Sequence, residues 1–445
     1  MPESLQDELF ELLRIPSIST GGGDSQALLA AAEWIVERMQ RAGGAAALEG
    51  AGGNPVAVGD LSCGRPDAPT VLIYGHYDVQ GVDPLDAWDS PPFEPVIRDG
   101  RIYARGASDD KGNFLPLLHV ACELARAAEL PVNVRVVVEG EEEAGGETVA
   151  KWFMADERGA DCAIVFDSDM VDARTPAITT SVRGIIAAEV KVRTAARNLH
   201  SGMYGGSVLN AVHVLNGMLA RVLPGPDGRL KADLRAGIAE PVAEEIDAWS
   251  KLPLGEDVLA EAGGRPLDAS SGPGYYLRNG ADAAIDVNGI AGGDAVHART
   301  IVPAEATARI SMRLAPGQST SAMKPVLERL LREGAPAGAE IEVDLAHSGD
   351  PALFDAASPA LTLGAQALAK AAGRPPALVR SGGSIPILAL FAERGIQTIV
   401  SGTALADDSI HAPNESFSVA SLELGERAAR ELYAALAELP QPSSR

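Results

Sequence analysis

The stretch "YGHYDVQGVD", beginning at Tyr74, sets His76 and Asp78 directly after the apolar run "PTVLI". A short apolar run of this kind reads as a buried strand, and in open α/β sheets strand ends are where side chains leave the packed layer and face a ligand. His76 can bind a metal ion there, and Asp78, two residues on, can hold the imidazole through its other nitrogen. Four more segments share the trait. "ARGASDDKGN" carries Asp109 and Asp110 in a glycine-flanked loop ahead of a helix expected from about Asn113, and a carboxylate there can bridge two cations. "VVVEGEEEAGGE" puts Glu141, Glu142 and Glu143 after a continuously apolar strand, a repulsive arrangement unless cations or solvent compensate it. "AIVFDSDM" ends a buried strand with Asp167 and Asp169, and "SGTALADDSIHAPNE" supplies His411 in a loop after "IQTIV". Two histidines and three carboxylates suit zinc or a similar divalent ion. Two such ions about 3.5–4 Å apart can share one carboxylate and activate a water, with a glutamate outside the ligand set taking its proton.

Each segment also has a plainer reading. Asp109 and Asp110 alone make a helix N-cap, and "EGEEEAGGE" alone is a solvated acidic loop. His119 lies in the apolar helix "LPLLHVACEL" and reads as structural, as do His213 in "LNAVHVLNGM", His297 in "DAVHART" and His347. Joint occurrence decides the matter, because chance seldom sets so many of these segments after strands in one chain.

The elements that must position these residues follow from pattern. "TVLIYG", "VNVRVVVEG" and "CAIVFDS" read as short buried strands, and "GNFLPLLHVACELARAAEL" as the crossover helix between them. This alternation implies an α/β fold, a doubly wound and mainly parallel sheet covered by helices. "VRGIIAAEVKVRTAA" and "EATARISMRLAP" instead alternate apolar and polar like half-buried antiparallel strands, marking an inserted α+β domain. The doubly wound character returns in "ALTLGAQALAKAAG", "IPILALFAERG" and "IQTIVSG". The expected organisation is a catalytic domain from residues 1–180 and 351–445, with a second domain inserted over 181–350.

At 445 residues and 46% hydrophobic content the chain can bury a substantial core. Its 61 acidic against 37 basic residues, a net charge of -24, argue against nucleic acid or an anionic membrane surface as partner. The amino-terminal stretch is acidic and no apolar run nears the roughly 18–20 residues of a membrane span, so a cytoplasmic location is expected. Cys63, Cys122 and Cys162 are too few and scattered for a disulfide framework or a CxxC site and read as inert thiols.

Taken in order, "YGHYDV", "ARGASDDKGN", "EGEEEAGG", "FDSD", "NLHSGMYGG", "RSGGSIP" and the His411 loop resemble the M20 family of metallopeptidases, especially its carnosine-dipeptidase-like branch, from about residue 5 to the end. The resemblance implies a dinuclear zinc-peptidase-like catalytic domain, with manganese or cobalt as other occupants, and makes the inserted domain over 181–350 a lid through which a homodimer forms. It makes His76 and Asp167 ligands of one metal, Glu143 and His411 ligands of the other, and Asp109 the bridge. Glu142 matches the general base and Asp78 the acid that orients His76, while Asp110 falls at a position the family varies. His200 in "RNLHSGMYGG" matches a histidine that reaches the partner subunit's site and stabilises the oxyanion. Thr300, Arg313 and Ser384 match positions that hold the substrate's free carboxylate, for which a guanidinium fork is suited.

One departure stands out. The branch often has a glutamate after the arginine of its "R-E-G-G-S" motif, suited to a free amino terminus, and here the residue is Ser381. The function implied is hydrolysis of a dipeptide or similar small peptide. An N-acyl amino acid deacylase or desuccinylase shares the same metal chemistry. A non-catalytic binding protein on the same scaffold would be expected to have lost a ligand or the base, and no such loss is visible.

Overall fold

The computed structural model describes residues 4–440 other than 51, 226, 298 and 346. The chain divides into two compact units, one of the residues up to Thr180, Phe354–Val379 and the residues from Ile385 on, the other of Ser181–Leu353 and Arg380–Ser384.

The first unit is built on the mainly parallel sheet expected from the sequence. Its centre is four parallel strands in the order Asn133–Glu139, Thr70–His76, Cys162–Phe166 and Gln397–Ser401. Val56–Leu61 and Ala45–Glu49 extend one side antiparallel, and Ala177–Val182 pairs antiparallel with Gln397–Ser401 on the other. The central strands are buried nearly throughout, which explains their unbroken apolar runs. Helix Lys111–Ala127 is buried on all sides from Lys111 to Cys122, so its sequence shows no polar face in that stretch. It starts two residues earlier than expected, after Asp110.

Parallel order has a direct consequence for function. The carboxyl ends of all four central strands lie along one edge, and there the chain delivers His76, then the loop after Glu139, then Asp167 after Phe166, and finally the loop after Ser401.

In the second unit an antiparallel sheet runs in the order Ala284–Gly292, Glu305–Leu314, Gly184–Arg193 and Glu340–Asp344. Ile186, Val190, Ile310 and Met312 face a core completed by helices Ala211–Leu219 and Thr320–Arg332. Residues at the alternate positions, Ile185 and Arg313 among them, therefore face the opposite side, where these two are cross-strand partners.

Candidate metal centre

Asp109 lies at the middle of the first unit's polar edge. Its Oδ1 is 3.0 Å from His76 Nε2 and its Oδ2 is 2.8 Å from His411 Nε2. His411 Nε2 is also 3.1 Å from Glu143 Oε2. Two overlapping groups of potential ligand atoms result, His76–Asp109–Asp167 and Asp109–Glu143–His411, each with its atoms within 4.8 Å of one another and with Asp109 in both. Four of the five candidates lie at or after the ends of the central parallel strands, as much as 335 positions apart, and converge because those ends share one edge, while Asp109 is brought to them by the loop ahead of helix Lys111–Ala127.

The local structure fixes each one. His76 ends its strand fully buried, with Nδ1 3.0 Å from the Asp78 carbonyl oxygen and 3.4 Å from its carboxylate. The same carboxylate accepts the Ser19 hydroxyl at 2.6 Å and the backbone N–H groups of Glu142 and Glu143 at 3.3 and 3.2 Å. Asp78 thus ties the histidine strand to the turn carrying two glutamates. Glu141 is directed elsewhere, its two oxygens accepting the backbone N–H groups of Asn54 and Thr148. Gln80 donates to Glu143 Oε2 at 2.8 Å. His411 takes a left-handed backbone conformation, φ 62°, which a non-glycine residue adopts only when its surroundings impose it.

Asp110 occupies the N-cap position without capping, since its Oδ2 accepts the backbone N–H of His76 at 3.2 Å instead. The peptide bond between Asp109 and Asp110 is cis.

Sequence reading passed over the residues that hold this loop. Glu415, fully buried, accepts from Arg105 Nη1 at 2.7 Å and from the backbone N–H groups of Gly106, Ser108 and Asp109 at 2.9, 2.9 and 3.0 Å. The Ser108 hydroxyl donates to Asp408 at 2.7 Å. Their signal was present, since Glu415 and Asp408 lie in the His411 segment and Arg105 lies in "ARGASDD". Tyr74 donates to Glu139 at the end of the neighbouring strand.

Electrostatics mark the cluster as short of positive charge. Burial pushes the carboxyl groups of Asp110 and Asp167 well above their ordinary range, and those of Glu139 and Glu142 up to about 8. Burial alone would lower the His76 pKa, but Asp109 and Asp78 at its two ring nitrogens reverse this and raise it. Hydrogen bonds to Asp109 and Glu143 push His411 up to about 10. Asp110 Oδ1 and Glu139 Oε2 are buried with no hydrogen-bond partner among the described residues. Nitrogen and oxygen donors, crowded carboxylates and histidines drawn toward their charged form fit a pair of divalent cations.

The other candidates lie in the second unit. His200 faces Ile301 across a short ladder, its Nδ1 accepts the Gly202 N–H at 3.1 Å, and the Thr300 carbonyl oxygen accepts the neighbouring Ser201 N–H at 3.0 Å. Arg313 Nη1 donates to Ser384 Oγ at 2.9 Å. The remaining histidines stand apart from both groups. His119 is buried, with Nδ1 2.9 Å from Glu8, while His213, His297 and His347 are exposed.

The sequence profile of peptidase family M20/M25/M40 matches residues 72–435. The chain belongs to this family. Among its relatives, the cysteinylglycine-S-conjugate dipeptidase of Corynebacterium striatum is 30% identical over 368 residues, covering 80% of this chain and 79% of that one. The human Beta-Ala-His dipeptidase is 25% identical over 375 residues, 82% and 74% of the two chains. The solved M20 family metallo-carboxypeptidase Sso-CP2 of Sulfolobus solfataricus superposes with a TM-score of 0.88 over 99% of this chain and 100% of that one, at 26% identity. Among the described residues of this M20 peptidase no helix is long and apolar enough to cross a membrane.

Proposed function

We propose that this M20 peptidase is a dinuclear zinc dipeptidase that hydrolyses the amide bond of dipeptides or similarly small peptides bearing a free carboxylate. The observation that carries the reading is Asp109, whose two carboxylate oxygens meet different histidines within two overlapping donor groups. In this reading His76 and Asp167 hold one cation, Glu143 and His411 the other, and Asp109 both. When bound, such ions acidify a water and offset charge that develops on an amide oxygen.

The chain's own residues do the rest. The Glu142 carboxyl group makes no hydrogen bond among the described residues while its backbone N–H is held by Asp78, as suits a group that accepts a proton and returns it to the leaving nitrogen. Asp78 fixes the His76 ring and, by accepting the Glu142 N–H, the base as well. His200 stabilises the oxyanion, supplied from a partner subunit, while Thr300, Arg313 and Ser384 grip the free carboxylate. A homodimer formed through the second unit belongs to the same reading, because His200 lies in that unit. Three unpaired cysteines support a reducing, cytoplasmic setting.

Ser381 favours a second reading, an N-acyl amino acid deacylase. It stands where a glutamate would suit a free amino group, and its hydroxyl accepts the Gly383 N–H inside the loop. A panel of dipeptides and N-acyl amino acids, run on zinc-loaded protein, separates the two. Glu142→Gln is expected to keep its zinc and lose about 10²–10⁴ of its turnover. Turnover by that variant close to the wild-type rate would exclude the base assignment.

A further inference from the structure

Beside Arg313 lies a second guanidinium whose bonding is incomplete. Arg183 is 8% exposed, its Nε donates to the Gly382 carbonyl at 3.0 Å, and its Nη1 is buried with no hydrogen-bond partner among the described residues. No carboxylate lies within ion-pair distance of it among the described residues. A buried, unpaired cationic donor costs free energy that a passing anion removes.

Its position follows from the strand register. Arg313 is opposite Ile185, and Arg183 stands two positions before Ile185, immediately ahead of strand Gly184–Arg193, so the register brings the two arginines to the same end of the sheet. Ser384 joins them, since its hydroxyl accepts from Arg313 Nη1 at 2.9 Å and donates to the Arg183 carbonyl oxygen at 2.5 Å. Each guanidinium feels the other's repulsion or a nearby acid: burial and then Arg313 lower the Arg183 pKa to about 10, and Asp286 opposes the lowering at both. Asp282, the other acid that reaches Arg183, is already held by Arg235 through two hydrogen bonds of 2.9 and 3.0 Å. Two guanidiniums against the charge of Asp286 leave one positive charge over, which one carboxylate neutralises.

We propose that Arg183 and Arg313 together bind the substrate's terminal carboxylate, Arg183 supplying its vacant Nη1 donor beside the Arg313–Ser384 pair. The assignment rests on the proposed carboxylate role of Arg313 and Ser384 and adds a residue to it. The competing role for Arg183 is holding the Gly382–Ser384 loop alone, which its Nε and backbone already do.

The test compares each acid substrate with its carboxamide, using whichever class the wild-type enzyme cleaves, dipeptide or N-acyl amino acid. In Arg183→Gln the acid-over-amide ratio of kcat/KM is expected to fall roughly 10-fold to 100-fold, the loss due to one charge-assisted hydrogen bond, chiefly through KM. Arg183→Lys keeps the charge and is expected to restore part of the ratio, and it serves if the glutamine variant does not fold. A variant that slows acid and amide alike, or neither, overturns the Arg183 assignment. A wild-type enzyme that does not distinguish acid from amide overturns the carboxylate-site reading beneath it.

Discussion

Replacing Glu415 by glutamine tests whether one buried carboxylate sets the position of Asp109. The wild-type side chain accepts two hydrogen bonds on each oxygen, from Arg105 Nη1 and the Gly106 N–H on Oε2 and from the Ser108 and Asp109 N–H groups on Oε1. An amide keeps one acceptor oxygen. Whichever way it is turned, its NH₂ faces two donors, so two bonds to a charged acceptor are lost, each about 1.5–3 kcal/mol. Arg105, 2% exposed, also loses its counter-ion. The expected destabilisation is about 3–6 kcal/mol, a large part of the roughly 5–15 kcal/mol that holds most proteins folded. Urea denaturation of metal-free protein reads this loss. Chelator competition reads a second one, since displacing the Asp109 backbone is expected to weaken zinc binding by about 10–100-fold. Glu415→Asp, which keeps the charge, is expected to fall between the two. A glutamine variant within about 1 kcal/mol of wild type and with unchanged zinc affinity would refute the role given to this residue.

Removal of metal is expected to destabilise the protein as well as silence it, because Asp110, Asp167 and Glu142 then remain buried together without compensation. A cation at 100 times its Kd contributes about 2.7 kcal/mol, so thermal melts with and without chelator should differ and zinc should restore the higher midpoint. Gly75→Ala would set a Cβ 2.6 Å from Phe114 and 2.9 Å from Asp110 Oδ2, so lowered zinc content beside His76 is expected on elemental analysis. Glu8 pairs with Arg38 at 2.7 Å and with His119 at 2.9 Å, and these partners overcome burial to hold its carboxyl below the ordinary 4.5. The stability that depressed pKa supplies is present above pH 4.5 and disappears as pH falls below it through the folded value. Glu8→Gln should therefore flatten the acid limb of the stability profile while costing about 3–5 kcal/mol at pH 7, because Arg38 is left buried and unpaired; equal acid limbs would contradict this.

What could be read from the chain and what could not divide along a physical line. An apolar run that ends in a histidine or an acid is a local signal, and in a parallel sheet local signals at several strand ends add, because the ends share one edge. His76, His411 and the acidic segments that carry Glu143 and Asp167 stand out for that reason, as does the sheet itself, whereas the choice of Glu143 among three glutamates and of Asp167 over Asp169 rests on the resemblance to the M20 family. The supporting contacts are not local. Glu415 meets Arg105 across 310 positions, and Glu8 meets His119 across 111. Neither pair has a spacing that distinguishes it from an unpaired surface charge. Asp78 shows the same limit at short range: its place beside His76 was readable from "GHYD", but its grip on the Glu142 and Glu143 N–H groups depends on the turn Glu142–Ala144, which the acidic run does not specify. Arg183 lies further from reach, since it appears in "SVRGII" as one basic residue before a strand, and its meaning depends on a register that pairs Ile185 with Arg313 and on an Nη1 left without a partner. Residues that present donors to a ligand are thus announced by sequence when a strand end carries them, whereas residues recognised by an unmet bond become visible with the fold, because an unmet bond is a property of the surroundings.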